Sequence, residues 1–410
     1  MDDHMSKKKQ VKLLPQTRRQ LLRNIGAAGT ASLVPSLWTP QSAMAQSAVK
    51  DVTVFFFTDG GHSGIFTSAD SFRGNRTMGV INNNISQLGN SDVWIDTEWL
   101  NMMTGGPNQA LVQSCMATVG AVHGQSAHRA ARPAVLQAGR VSPLQRLADS
   151  MNGESAIKFA QVGREEVRQR VMTENTRAQL VNDIGSLERS LGGQGNSDQP
   201  APNRQLLSAS LAGAQALSAQ HLADSPQNLK SLAVGYEAGV KALGQRIVSN
   251  VTPQQIRRAY GLNGTAVGEN IRAKMAAAEL LARTGTSVIG ISDGGWDNHG
   301  DQGQREVRGK WRRLAPSIGT FLNRMLPDPS INLTFVVLGD FSRNHRSGHG
   351  GGLAMNIFSN KVRNATTGKL SSQGGLPVGS PGMREFYEFI NYLSGAGGTS
   401  YNGPHRRVLK

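Results

Sequence analysis

The chain has 410 residues, of which 38% are hydrophobic, and a formal charge of +16. This length and composition are typical of a folded protein with a large core, and they exclude a disordered chain. No run of 18 or more apolar residues occurs, which argues against a membrane-spanning helix in the mature protein. Cys115 is the only cysteine, so no disulfide can form within the chain, and its apolar surroundings favour a core residue over a nucleophile.

Residues 1–45 have the pattern of an export signal. Seven basic residues precede a mildly apolar stretch at 25–38, and Ala43-Met44-Ala45 suits signal peptidase. The pair Arg18-Arg19 lies in a segment that resembles the bacterial twin-arginine signal. The alternative is a basic disordered arm. The sequence therefore predicts the twin-arginine export machinery as a partner and a periplasmic or secreted mature chain.

The mature chain is expected to stay basic. Removing residues 1–45 takes seven basic and two acidic residues from the formal charge of +16, which leaves +11. Such a charge favours polyanionic partners such as nucleic acid, acidic polysaccharide or an anionic membrane surface. However, the mature chain has no arginine-rich block with interleaved aromatic residues. A solvated basic face is therefore the preferred interpretation, and nucleic acid is not favoured as a partner.

The first predicted strand covers residues 52–57. This continuous run of β-branched and aromatic residues is typical of a strand buried on both faces of a parallel sheet. The following segment, 58–64, offers Asp59, His62 and Ser63 among glycines that allow close approach to a ligand. An ordinary glycine turn that begins with an Asp is the alternative.

The second predicted strand covers residues 117–122. Before it, residues 70–107 are expected to be irregular, and a helix is expected at 108–116. The strand ends in His123, and His128 follows five residues later. Either histidine alone is more often a structural, hydrogen-bonded residue than a ligand.

Between residues 142 and 283 the chain becomes rich in Ala, Gln, Leu, Arg and Ser. Its apolar residues recur with helical periodicity. We expect a helical insertion that covers the sheet or forms a cap over the site, with a polar loop at 192–203. The predicted helices cover residues 143–151, 163–191, 204–221, 227–248, 253–260 and 268–283.

The third strand and loop lie at residues 286–299, TSVIGISDGGWDNH. A short apolar run at 288–291 ends in a glycine-broken segment that offers Asp293, Asp297 and His299. In an α/β sheet, ligands bind beyond the carboxyl ends of the strands, so polar residues at this point are site candidates. Asp297 and His299, one residue apart, form the sharpest local pair.

The remainder of the chain alternates helices and strands. One apolar stripe predicts a helix over residues 303–325, in which Pro316 is expected to cause a kink or a break. The other expected elements are a strand at 333–338, a strand at 354–358, a Gly/Ser/Pro loop at 364–383, a helix at 384–394 and a mobile basic tail at 396–410.

Four strand–loop units, at 52–64, 118–128, 287–299 and 333–349, predict a doubly wound, mostly parallel α/β sheet with all four loops at one edge. Carboxylate and imidazole donors without thiolates suit Zn, Mn or Fe, or Ca if carboxylates dominate. The edge is expected to gather Asp59, His123, Asp293, Asp297, His299, Asp340, His345 and His349.

Several of these motifs resemble a known family. The run Gly294-Gly295-Trp296-Asp297-Asn298-His299, together with Asp59-Gly60-Gly61, Asp340-Phe341-Ser342-Arg343 and His349-Gly350, is similar to the twin-arginine-exported family catalogued as domain of unknown function 1501. The similarity covers residues 50–360. That family in turn resembles the alkaline phosphatase and sulfatase superfamily.

The resemblance implies roles for individual residues. Ser63 is the nearest match to a nucleophile, with Thr67 and Ser68 next, although a turn serine bonded to its own backbone is an equal alternative for Ser63. Arg343 is implied as a bidentate clamp for a phosphate or sulfate. The implied divalent metal ligands are Asp59, Asp297, His299, Asp340 and His349.

The sequence also departs from the family pattern. Phe341 stands where the superfamily has a histidine, which removes one ligand. Asp340 stands where the uncharacterised family has Glu, and Gly348 stands where it has an Asp before the late histidine. These departures predict one ion rather than two.

Three functions are compatible with the sequence. The first is an exported metal-dependent hydrolase of phosphate or sulfate esters, acting on a small or polymeric anionic substrate. The second is a non-catalytic periplasmic or extracellular binding protein on the same fold, with a structural metal. The third is nucleic-acid binding driven by charge.

Overall fold

A computed structural model describes residues 49–74, 80, 82–136, 142–151, 157–163, 178–190, 251–297, 299, 305–343 and 348–410. All of them fall within one compact unit that comprises residues 44–196 and 234–410. The described strands are β1 (Lys50–Thr58), β2 (His62–Ser63), β3 (Ile85–Gln87), β4 (Trp94–Asp96), β5 (Met116–Val122), β6 (Phe159–Val162), β7 (Ala178–Val181), β8 (Val288–Asp293), β9 (Ile331–Gly339), β10 (Ser342–Arg343) and β11 (Gly352–Ser359). The described α-helices are Thr97–Thr104, Gln109–Ser114, His128–Leu136, Pro143–Ser150, Ile184–Ser190, Pro253–Ala259, Ile271–Arg283, Arg305–Met325 and Met383–Leu393.

A seven-stranded sheet forms the centre of the protein, in the order β5-β11-β9-β1-β8-β6-β7. The pairs from β9 to β7 are all parallel. Only β11 runs in the opposite direction among these strands, because it is antiparallel to both β9 and β5. The predicted α/β class with a mostly parallel sheet is therefore confirmed.

Side chains of β1 alternate between two hydrophobic clusters. Val54 and Phe56 pack into one cluster, which includes the Ile271–Arg283 and Arg305–Met325 helices. Phe55 and Phe57 pack into the other, which includes the Met383–Leu393 helix. Because successive side chains of a strand point to opposite faces, helices cover both faces of the sheet. This explains why the strand is apolar at every position.

The carboxyl ends of the strands meet at one edge of the sheet. Thr58 at the end of β1 is in register with Asp293 of β8 and with Gly339 of β9. Because β11 is antiparallel to both β9 and β5, the strands β9 and β5 run in the same direction. β5 therefore also ends at this edge, and β11 begins there at Gly352. The segments after β1, β5, β8 and β9, and the segment before β11, are thus brought together.

The block expected to be a helical insertion also contributes two strands to the sheet. Residues 159–162 and 178–181 form β6 and β7, so the helix predicted over 163–191 is wrong at 178–181. The side chains of β6 are all buried, and pairing with β8 outweighs the helical preference of its Ala and Gln residues. The helices predicted at 204–221 and 227–248 lie outside the described residues.

Three further expectations differ from the structure. Residues 70–107 contain the β3–β4 pair and the Thr97–Thr104 helix, which Asp96 caps by accepting a hydrogen bond from the backbone of Trp99. The Arg305–Met325 helix continues through Pro316 without a break. The segment 396–410 is not detached, because His405 and Val408 are fully buried against the main body.

Within the described part of the chain, no helix is both long and apolar enough to cross a membrane.

Candidate metal centre

Four side chains from three different segments converge at the carboxyl edge of the sheet. His128, Asp297, His299 and His349 each offer one potential ligand atom, and these atoms all lie within 4.8 Å of one another. Three of them were predicted from the sequence as ligands. The fourth member, His128, was not predicted as a ligand. The two remaining predicted ligands, Asp59 and Asp340, are not members of this group.

His128 is the first residue of the His128–Leu136 helix and is held by Asp340. Its Nδ1 donates a hydrogen bond to Oδ2 of Asp340 at 2.6 Å. Its Nε2 is buried, lies 3.2 Å from Oδ1 of Asp297 and has no hydrogen-bond partner among the described residues. A carboxylate that fixes one ring nitrogen and leaves the other facing outward is the usual arrangement around a metal-binding histidine.

His349 is oriented in the same way by a backbone carbonyl. Its Nδ1 donates a hydrogen bond to the carbonyl oxygen of Ser126 at 2.6 Å. Its Nε2 is buried and has no hydrogen-bond partner among the described residues. Burial lowers the pKa of His349, while the hydrogen bond to Ser126 opposes that shift. A lowered pKa favours the neutral imidazole, which is the form that binds metal.

Phe341 packs against two of these histidines. Its ring is stacked on His349, with centroids 3.9 Å apart, and lies 4.8 Å from the ring of His128. Phe341 is fully buried. Phe341 therefore restricts the orientation of two imidazoles of the group.

The backbone of Asp297 packs directly against the backbone of Gly60. Gly60 has a φ of 119°, and a Cβ at this position would lie 2.0 Å from the backbone nitrogen of Asp297. Only glycine fits this conformation and this space. Burial raises the pKa of Asp297, but a hydrogen bond from Arg343 and the nearby charge of His128 outweigh it, so the pKa is lowered overall.

Arg343 supports Asp297 and does not face a ligand. Its Nη2 donates to Oδ1 of Asp297 at 2.7 Å, and its Nε donates to the carbonyl oxygen of Gly60 at 2.8 Å. The side chain is 1% exposed. These contacts do not support the predicted role of Arg343 as a clamp for phosphate or sulfate, which stays a prediction.

The predicted nucleophiles are all buried. Ser63 lies in β2, and Ser63, Thr67 and Ser68 are each no more than 2% exposed. The hydroxyl of Thr67 donates to the carbonyl of Gly64, and that of Ser68 accepts from the backbone of Leu370. Their burial does not support the expectation that one of these hydroxyls faces a substrate, and the nucleophile stays a prediction.

Asp59 and Asp340 are paired with a cation that sequence analysis did not identify. Arg132 forms an ion pair with Oδ1 of Asp59, and its Nε lies 3.8 Å from Oδ1 of Asp340. Burial raises the pKa of Asp340, against the lowering effects of the His128 hydrogen bond and the Arg132 charge. Asp340 therefore contacts the four-residue group through His128, and Arg132 links Asp340 to Asp59.

The remaining predicted site residues lie at the same edge of the sheet but outside the group. Asp293 accepts a hydrogen bond from the indole of Trp296 at 2.8 Å. Nδ1 of His123 accepts one from the backbone of Gln125 at 3.1 Å. His345 lies outside the described residues.

Two of the distances within the group match the spacing of ligands around a single ion. Nε2 of His128 and Nε2 of His299 each lie 3.2 Å from Oδ1 of Asp297. Ligands about 2.0–2.1 Å from a tetrahedral metal lie roughly 3.3 Å from each other. The group is also open on one side, since the side chain of Asp297 is 48% exposed and that of His299 is 58% exposed.

Sequence analysis treated His128 as a weak signal because a single histidine has no local motif. Two features point to it once the sheet is known. It follows β5, whose carboxyl end lies at the site edge. It also precedes Arg132 by four residues, which places both side chains on one face of a helix.

The fold and the site define an α/β protein with a possible His/Asp metal centre at the carboxyl edge of its sheet. Residues 196–353 match the model of a family described as a protein of unknown function (DUF1501), and this match supports the family predicted from the motifs. The matched residues include Asp297, His299 and His349, whereas His128 precedes them. Neither the curated proteins nor the solved structures that were compared include a match to the chain.

Proposed function

We propose that this protein is an exported hydrolase of phosphate or sulfate esters that depends on one divalent metal ion. The ion would be held by His128, Asp297, His299 and His349. The observation that carries the proposal is the convergence of these four donors within 4.8 Å. In addition, Nδ1 of His128 and Nδ1 of His349 are each held by a hydrogen bond, which leaves Nε2 as the ligand atom.

The donor set favours a transition metal. Three of the four donors are imidazoles and one is a carboxylate. Such a set suits zinc, manganese or iron, whereas calcium requires six to eight oxygen ligands. We therefore propose Zn, Mn or Fe and set aside Ca, which the sequence alone allowed.

The open side of the group favours catalysis over a structural role. Four protein donors fill a tetrahedral ion, so catalysis would need a fifth position for water or substrate, and catalytic zinc sites can expand to five ligands. Asp297 and His299 are about half exposed. A divalent ion held here would act as a Lewis acid on an ester oxygen and lower the pKa of water.

The charge around the group suits an anionic substrate. Asp59, Asp297 and Asp340 contribute three negative charges. Arg132 and Arg343 contribute two positive charges through direct contacts with them. With neutral histidines the local charge is about −1, so a divalent ion would leave an excess of about +1 that an anionic ester could neutralise.

Water is the proposed nucleophile. The three hydroxyls suggested by the superfamily resemblance are buried, so a covalent intermediate on Ser63 is not part of the proposal. The resemblance to the alkaline phosphatase and sulfatase superfamily supports the ester class. Export rests on the twin-arginine pattern in residues 1–45, which lie outside the described residues.

The second candidate is a non-catalytic envelope or extracellular binding protein with a structural metal. The burial of Ser63 and the engagement of Arg343 by Asp297 favour it, because neither side chain is available to a substrate. Association with an acidic surface polymer, without turnover, would support this function.

The two candidates are separated by metal analysis together with an ester screen. The purified mature chain is expected to contain about one Zn, Mn or Fe per molecule and to hydrolyse at least one phosphate or sulfate ester when metal is added. Asp297→Ala and His299→Ala are expected to lose both metal and activity. Glu98→Ala is the control, because Glu98 is an exposed carboxylate that pairs with Arg312 and lies outside the group. Bound metal without hydrolysis would favour the binding protein, and a chain that binds no metal would refute the proposal.

A further inference from the structure

Arg132 lies between two carboxylates beside the metal centre. It forms an ion pair with Oδ1 of Asp59, and its Nε lies 3.8 Å from Oδ1 of Asp340. The other oxygen of Asp340 accepts the hydrogen bond from His128. One helix therefore supplies both a proposed metal ligand and, one turn later, a permanent cation directed at the same carboxylate.

Asp59 and Asp340 need a positive charge between them. Asp340 is fully buried and the side chain of Asp59 is 18% exposed. Ionised carboxylates in such surroundings are unfavourable unless a cation compensates them. Within the part of the chain that the structure describes, Arg132 is the only basic side chain that forms an ion pair with Asp59.

We infer that Arg132 occupies a latent cation site formed by Asp59 and Asp340, and that it thereby limits the centre to one metal ion. This inference rests on the proposed metal centre. A guanidinium remains charged at every pH that a protein survives, so the position is filled whatever the protonation of the neighbouring histidines. Two carboxylates without the guanidinium would offer oxygen ligands to a hard ion such as Mn²⁺.

The number of bound ions tests this inference directly. The full mature chain would be dialysed to equilibrium against excess Mn²⁺, and bound manganese would be counted by elemental analysis. The wild type is expected to bind one ion and Arg132→Gln two. Arg132→Lys, which keeps a cation, is expected to bind one. The double variant Arg132→Gln/Asp59→Asn is expected to return to one, because it removes half of the additional site.

The outcomes separate this inference from the proposed function. Two ions in the wild type, or one ion in a folded Arg132→Gln variant, would overturn the role of Arg132 and leave the metal centre intact. No ion in the wild type would refute the centre and the inference together. Circular dichroism shows whether Arg132→Gln folds, and Arg132→Met, which keeps the length of the side chain without its charge, provides the same test if it does not.

Discussion

Asp340 accepts a hydrogen bond from Nδ1 of His128 at 2.6 Å, and this contact determines which nitrogen of His128 faces the centre. The two residues are 212 positions apart in the chain and meet because β5 and β9 end at the same edge. In the proposed centre Asp340 therefore has a different role from the one its motif suggested. It orients His128 and is not itself a member of the four-residue group.

Replacing Asp340 by Asn is expected to weaken metal binding by about 10- to 100-fold, the usual cost of losing an outer carboxylate partner. The neutral amide of Asn has no negative charge to compensate positive charge on the imidazole of His128. It also no longer fixes the tautomer of that imidazole. Competition with a chromophoric chelator measures this affinity. Asp293→Asn is the matched control, because Asp293 lies at the same edge and contacts none of the four ligands. Equal affinities for the two variants would contradict the role assigned to Asp340.

Replacing His299 by Ala is expected to separate metal binding from stability. The side chain is 58% exposed, so its loss should change the free energy of unfolding of the metal-free chain by no more than about 0.5 kcal/mol. Metal affinity should fall by more than the ~10- to 100-fold expected for an outer partner. Urea unfolding with a chelator present, together with a metal titration, measures both quantities.

His405→Ala is the opposite case and serves as the control for His299→Ala. His405 is fully buried, contacts the hydroxyl of Thr367 and packs on the ring of Phe389. Its removal should lower the free energy of unfolding by about 1–3 kcal/mol and leave metal affinity unchanged. If His299→Ala retained metal while His405→Ala lost it, the assignment of the site would be wrong.

Acid is expected to destabilise the metal-free protein between about pH 6.5 and pH 4. Burial lowers the pKa of His62 and of His405 from 6.5 to about 4. Both are neutral in the folded state, and the unfolded chain takes up protons first as pH falls. Their contribution is complete above pH 6.5 and is progressively lost below it, by about 2 kcal/mol for each histidine at pH 5.

Urea unfolding at pH 7 and pH 5, with a chelator present, measures this loss. His405→Gln removes one of the two titrating groups, so the difference between the two pH values should be smaller in this variant than in the wild type. An equal difference in both proteins would show that His405 does not contribute.

The position of the site could be predicted because its signals are local. A continuous apolar run followed by a glycine-broken polar segment marks the end of a buried strand, and this pattern placed Asp297, His299 and His349 at one edge. Which of the acids belong to the four-residue group could not be predicted. Asp340 follows a buried strand in the same way as Asp297 follows β8, and only its contacts with His128 and Arg132 show that its carboxylate bonds to a member of the group without belonging to it.

The strands β6 and β7 could not be predicted for a different reason. Both strands, Phe159–Val162 and Ala178–Val181, are short. They contain Ala and Gln, which favour helices in isolation. The extended form of β6 depends on pairing with β8, more than 100 residues later in the chain, and that of β7 depends on pairing with β6. A preference set by such distant partners leaves no periodic pattern in the local sequence.

Replacing Glu279 by Gln is expected to destabilise the protein by about 3–5 kcal/mol. Glu279 is fully buried in the Ile271–Arg283 helix. Its carboxylate accepts hydrogen bonds from the guanidinium groups of Arg283 and Arg324 and from the hydroxyl of Tyr260. An amide would leave these two cations close together without a compensating negative charge. Thermal or urea unfolding, compared with the wild type, measures the loss.

Glu98→Gln provides the matched control for Glu279→Gln. Glu98 also pairs with an arginine, Arg312, through two hydrogen bonds, but both side chains are exposed to solvent. Water screens such a pair and replaces its hydrogen bonds, so little change in stability is expected. If the two substitutions had similar effects, burial would not be what makes the Glu279 network important. In that case the charge of the carboxylate alone, wherever it lies, would determine the loss.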